Sequence, residues 1–188
     1  QSSSRGLGDV YKRQLEIGSI SLYALAGLNR VDKLSNEASL KYFLLGSLAS
    51  CIFIYGVSLV YVSFSVLSVY DFATGVGFVG ADSVPLTTKL GVILIFIGLL
   101  FKIAAAPFQS WAPDVYQGSP TGYVGYMASI AKASAFIVIA RLCQVSLRFM
   151  PNEFDSFFLL VVILSVIIGS FFASVQDDLK RLLAYSGV

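Results

Sequence analysis

The residues of this chain able to do chemistry are its lysines and glutamates, and the informative ones lie where a charge is costly. Lys132 sits in YMASIAKASAFIVIARL, near the middle of a long apolar run, flanked by Ala131, Ala133 and Ser134. A lysine at the centre of a membrane helix costs about 2.5–3.5 kcal/mol on insertion scales, and where kept it faces protein or a water-filled cavity. Snorkelling to an interface is hard from that depth. Lys102, in LLFKIAAAPF, admits two readings. If the helix ends at Pro107, the lysine lies about one turn from an end and can snorkel. If Pro107 breaks a helix that continues into 108–111, Lys102 sits beside backbone groups freed inside the membrane. Such breaks are tolerated where protein or water satisfies those groups, and in transporters they often mark ion sites. Glu16 and Lys41 are weaker signals that read most simply as interfacial residues at helix ends. Asp114 reads as a turn or cap residue, and Asp177, Asp178, Lys180 and Arg181 as a solvated link.

The chemistry these groups allow is proton transfer. Burial disfavours the charge of a lysine and a nearby carboxylate restores it. A Lys–Glu pair whose separation changes is therefore a proton switch, releasing as the carboxylate withdraws and binding as it returns. Metal and redox chemistry have few donors to use. The chain has no histidine, and its two cysteines, Cys51 and Cys143, lie in separate apolar runs where they read as small hydrophobes. Electrons, if the system moves them, move in another chain.

Composition says where such residues must be placed. Of 188 residues 56% are apolar and 13% charged, with a mean hydropathy of +0.79. Soluble domains carry about 25% charge, so a water-facing surface could not be covered. The apolar residues come in blocks, and a bilayer core needs about 20 per helix. The lipid bilayer is the expected surrounding. A net charge of +2 without a basic stripe sets nucleic acid aside.

Along the chain, Gln1–Gln14 is polar and lacks the apolar region of a secretory signal. It reads as a non-native leader or a disordered tail. A transmembrane region follows over 15–188, expected to hold about five spans and the start of a sixth. Leu15–Leu28 is the back half of a span, and Asn29–Glu37 a polar link. Ala38–Leu67 is longer than one crossing needs, and so tilts or begins as an interfacial turn. Tyr70–Thr88 reads as a Gly-rich loop. Lys89–Ala106 forms a span stopped or broken by Pro107, because proline removes a donor and clashes with the preceding turn. In the semi-polar stretch that follows, Trp111 and Tyr116 suit an interface. Thr121–Val145 is rich in Gly, Ala and Ser and is expected inside the bundle, away from lipid. Phe157–Val175 is the last full span, and QDDLKRLLAYSGV a charged link with a new helix start. Both ends read as cut. Arg30 and Lys33 in the first link and Lys180 and Arg181 in the last fall an even number of spans apart. Both links therefore belong on one side, the cytoplasmic one by the positive-inside rule, although Arg148 and Arg141 argue the other way.

The stretch FKIAAAPFQSWAPDVYQGSPT (101–121) resembles the broken-helix signature of the antiporter-like, proton-translocating subunits of respiratory NADH:quinone oxidoreductase (complex I). It holds a lysine, a proline five residues on, a W-x-PD turn and a G-x-PT turn. The DVYQG wording is similar to the subunit N (subunit 2) branch, and LEIGSISLYAL, EASLKYFLLGSLAS and DDLKRLLAYS match it too. The likeness covers nearly all of 15–188. It implies an all-α polytopic bundle: the first inverted repeat of a fourteen-helix subunit and the entry to the second. By that resemblance Glu16 matches the helix-five glutamate that modulates Lys102 on the broken helix seven. Lys132 matches the helix-eight lysine that passes the proton along the central axis, and Lys41 a helix-six lysine. The family's partner lysine on helix twelve falls beyond Val188. Departures are the polar 6–14, Gln109 where histidine is frequent, and Gly122 where proline is frequent.

The resemblance further implies a non-redox translocase subunit of NADH:quinone oxidoreductase, coupled to quinone reduction elsewhere. Other membrane-arm subunits would be its partners, with flavin, iron–sulfur clusters and quinone held in partner subunits. The membrane expected is the bacterial inner membrane, with the mitochondrial inner or thylakoid membrane as alternatives. Two rivals stand beside it: a homologous subunit of a cation/proton antiporter or membrane-bound hydrogenase, and a packing subunit whose lysines are structural.

Overall fold

Long apolar blocks with few breakers become helices, and the computed structural model, describing residues 18–66, 68–80, 83–145 and 151–188, is helical in every regular element described. A first helix, α1, covers residues 18–26. It is followed by α2 (Lys33–Phe64), α3 (Val69–Val79), α4 (Leu86–Ile103), α5 (Trp111–Gly118), α6 (Thr121–Tyr126), a π-turn (Met127–Ala131), α7 (Lys132–Val145), α8 (Pro151–Ser174) and α9 (Leu179–Ser186). Among the described residues four stretches are long and apolar enough to cross a bilayer: Lys33–Phe64, Leu86–Ile103, Thr121–Gln144 and Phe154–Ser174. With α1 as the short leading helix and α9 as the new start, the all-α, polytopic architecture expected from the sequence is present. Residues 1–14, expected as a non-native leader or a disordered tail, and Glu16 lie outside the described residues.

At 32 residues α2 runs about 48 Å at 1.5 Å per residue, well beyond a hydrocarbon core of about 30 Å. Its charged residues, Lys33, Glu37 and Lys41, all lie in its N-terminal part, so the excess length belongs at that end. The Asp32 carboxylate caps it, accepting from Leu34 N at 3.0 Å.

Two expectations need correction. The Gly-rich segment expected as a loop folds as α3, because Ser68 caps it, Ala73 is buried, and Phe72 and Val76 are buried in a cluster with Val60, Val92 and Phe96. Apolar burial on one face outweighs the glycines' poor helix propensity. Trp111 and Tyr116 do not lie at an interface: they are 2% and 1% exposed, in a core with Ala26, Ala104 and Val115. The segment 121–145 is partly covered by the rest of this chain. Its Phe136, Ile137 and Ile130 are exposed, and Val124, Met127, Lys132 and Ala135 form the buried stripe.

Inside a bilayer the association of helices rests on close packing more than on the hydrophobic effect. The α2–α4 contact shows how. A Cβ on Gly56 would meet Gly91 O at 2.6 Å, and one on Gly91 would meet Gly56 O at 2.8 Å. The two backbones touch where neither carries a side chain.

Candidate functional site

The site begins with the interrupted helix. α4 ends at Ile103, four residues before Pro107, because Ala104 takes a left-handed conformation (φ 59°). A non-glycine residue there costs about 1–2 kcal/mol. Ala104 and Ala106 are fully buried, which leaves little room for larger side chains. The chain then turns through 104–110, with Pro107 in the turn, and resumes as α5 at Trp111, so α4 stops short of the proline and no helix runs through 108–110. Backbone groups freed by the break are met by protein. Trp111 Nε1 donates to Phe101 O at 3.0 Å, and Ala106 N donates to Ser165 Oγ on α8 at 3.0 Å. The Trp111 ring is held between Tyr42 (centroids 4.8 Å) and Phe101 (5.4 Å), stacked on both. On the α5 side Gln109 Oε1, Tyr116 OH and Ser119 Oγ are buried without a hydrogen-bond partner among the described residues. Hydrogen-bonding capacity is left over there, where most buried polar atoms would be satisfied.

Lys102 occupies the last turn of α4, where a cation suits the negative end of the helix dipole. Its side chain is exposed on this chain, and among the described residues nothing hydrogen-bonds or ion-pairs with it.

Lys132 follows the π-turn directly. A π-turn adds one residue to a helical turn, so the buried stripe steps from Met127 to 132, where an uninterrupted α-helix would step to 131. That added residue carries the lysine onto the same face as Val124 and Ala135. There Lys132 is 8% exposed and its Nζ donates to Gly187 O, just past the C-terminal end of α9, at 2.7 Å. A side chain at 187 would meet Nζ at 2.8 Å.

Lys41 and Asp114 come together, contrary to the sequence reading of both. Lys41 Nζ lies 2.7 Å from Asp114 Oδ2 and 2.7 Å from Glu37 Oε1. Asp114 Oδ1 accepts from Arg181 NH1 at 2.9 Å. Arg181 also reaches Gln117 Oε1 at 3.0 Å and, through Nε, Gln176 Oε1 at 3.0 Å; Gln117 Nε2 donates to Asp178 Oδ2 at 3.2 Å. Asp114 is thus not merely a turn residue, and 178–181 are tied to α5. Lys180 Nζ adds a bond to Ser119 O at 2.8 Å. The pairs are half-exposed, which limits each to about 1 kcal/mol or less. Their geometry matters more, since they join α2, α5 and α9 at one end of the bundle. This also puts the start of α2 and the start of α9 on one side, as the charge pattern suggested. The network escaped the sequence reading because its members lie far apart in the chain; the (i, i+4) spacing of Glu37 and Lys41 was the one signal available. Among the described residues no three His, Cys, Asp or Glu side chains converge to hold a metal ion.

The profile of a family described as NADH:quinone oxidoreductase/Mrp antiporter, transmembrane, matches residues 14–188. The chain belongs to this family. Its relatives include NADH-quinone oxidoreductase subunit N of Trichlorobacter lovleyi, 41% identical over 174 residues, covering 93% of this chain and 36% of that protein. Subunit N of Magnetococcus marinus is 42% identical over 175 residues with the same coverages. Among solved structures, respiratory complex I from Thermus thermophilus with bound aureothin contains a chain matching at TM-score 0.74 and 41% identity, over 92% of this chain and 36% of that one. The membrane-bound sulfane sulfur reductase, an archaeal respiratory membrane complex, matches at TM-score 0.80 and 28% identity, over 92% and 35%. This antiporter-family chain therefore spans about a third of the length of the curated relatives it matches. The resemblance carried by 101–121 is borne out.

Proposed function

We propose that the chain is part of a proton-translocating membrane-arm subunit of NADH:quinone oxidoreductase, itself without a redox centre. Protons would pass through Lys102, Lys132, Lys41 and Glu16, with Pro107 in the helix break, while flavin, iron–sulfur clusters and quinone act in partner subunits. The observation that carries this reading is the identity of about two-fifths, over nearly the whole chain, to proteins named subunit N. The physical argument agrees with it. Lys132 is a buried cation facing a backbone carbonyl, and Lys102 borders a helix break, both settings in which membrane proteins place transported ions. The bacterial inner membrane is the location we infer, since the relatives cited are bacterial.

The test is NADH-driven proton uptake into membrane vesicles with full-length protein carrying Lys102→Met. Uptake per NADH is expected to fall while the complex assembles; unchanged uptake in an assembled complex would end the assigned role. A second reading, a subunit of an antiporter or hydrogenase-like complex, draws on the higher TM-score to the sulfane sulfur reductase complex. Co-purification with the subunits of such a complex, and no NADH-linked uptake by the parent protein, would favour it.

A further inference from the structure

Charges at one end of the bundle alternate in sign across three helices: Glu37 and Lys41 on α2, Asp114 on α5, Arg181 on α9. The links measure 2.7, 2.7 and 2.9 Å. Asp114 stands at the centre and gives one oxygen to each cation. Glu37 lies on the same helix as Lys41, so it cannot draw that ammonium across to α5; Asp114 can. α5 is eight residues long, bounded by the break on one side and by Ser119 and Pro120 on the other. Side chains, not helix continuation, must therefore fix it. It also packs closely on α2, since a Cβ on Gly118 would overlap Leu34 O and meet Ala38 Cβ at 2.7 Å.

We propose that Asp114 is a positioning residue for proton transfer. Its carboxylate holds the Lys41 ammonium against the half-helix that follows the break. Through Arg181 it ties that half-helix to α9, whose far end receives Lys132. The inference rests on the proton-translocating reading above. Removing the carboxylate leaves Lys41 paired with Glu37 of its own helix, and leaves Arg181 with the neutral Gln117 as its contact on α5.

The experiment uses full-length subunit in the assembled complex and measures proton uptake per NADH, normalised to subunit content. The variants are Lys41→Met, Asp114→Asn, the pair combined, and Asp114→Glu. Each single neutral replacement is expected to lower uptake, the combination to fall no further than Lys41→Met alone, and Asp114→Glu to recover part of the loss. Residues acting through one another show such non-additivity, whereas independent ones add. Unchanged uptake in either single variant, additive losses, or no recovery with glutamate would overturn the proposal. If Asp114→Asn does not assemble, Asp114→Glu is read with and without Lys41→Met, and additivity again overturns it. Lys102→Met separates the two levels: if it pumps normally, the functional reading itself fails. If it is impaired while the Asp114 cycle shows no coupling, this inference alone fails.

Discussion

Lys41 and Lys102 lie on two helices that pack together, yet their surroundings are opposite. Lys41 is flanked by Glu37 and Asp114, each 2.7 Å away. Lys102 ends α4 with no hydrogen bond or ion pair among the described residues. A cation held between two carboxylates has its charge and direction fixed by its partners. Lys102 borders the helix break with no counter-charge among the described residues, and Glu16, the carboxylate expected to act on it, lies outside them. Lys132 stands between these cases, since the carbonyl it meets supplies a hydrogen bond but no full charge. Of these three lysines one is anchored, one has no described partner and one is buried, and the difference comes from what faces them.

The contrast breaks most completely if α5 is pushed away from α2. Gly118→Leu places a side chain where Leu34 O and Ala38 already lie. We expect loss of the subunit from membranes, read by immunoblot against wild type. Next in size, Gly187→Val crowds Lys132 Nζ. It should lower proton uptake per NADH in an assembled complex, and unchanged uptake would separate Lys132 from transport. Trp111→Phe keeps the stacked ring but removes one of the two donors to Phe101 O, which retains Ala104 N. Losing one hydrogen bond of two costs about 0.5–1.5 kcal/mol, seen as a lower Tm of the purified complex. Smaller still, Lys41→Met should lower Tm slightly, because it strips Asp114 of one partner. The half-exposed pair limits that loss to about 1 kcal/mol or less. Lys102→Met, which orphans no described group, should leave Tm unchanged. Equal effects at the two positions would remove the distinction.

The smallest effect is at Asp178. Its carboxylate accepts from the backbone N–H groups of Arg181 and Lys180 and from Gln117, with Arg181 the leading cause, and these bonds hold its pKa below the usual carboxylate value. A depressed folded-state pKa adds stability that is complete above the unfolded value of about 3.9 and is lost as pH falls through the folded one. Asp178→Ala should therefore lower Tm at neutral pH, with the gap to wild type narrowing in strong acid.

Much of the bundle was legible because the signals are local. Apolar blocks of bilayer length specify the long helices, and a proline after FKIAAA marks the interrupted one. The exact stop at Ile103 was not legible, since nothing in three successive alanines says which will turn left-handed. The helical character of 69–79 was hidden because its glycines argue for a loop, while the Phe72 and Val76 burial that outweighs them depends on α2 and α4. Lys132 stood out as a charge in an apolar run, but its seat on the buried stripe depends on the π-turn, which leaves no mark in composition. The chain's own sequence, then, determined the membrane class, the long apolar spans, and which lysines were costly. The tertiary structure alone decided which cations have partners. Hydropathy is summed along one segment, whereas an ion pair joins atoms 67 or 73 residues apart, and no local property of either partner encodes the distance between them.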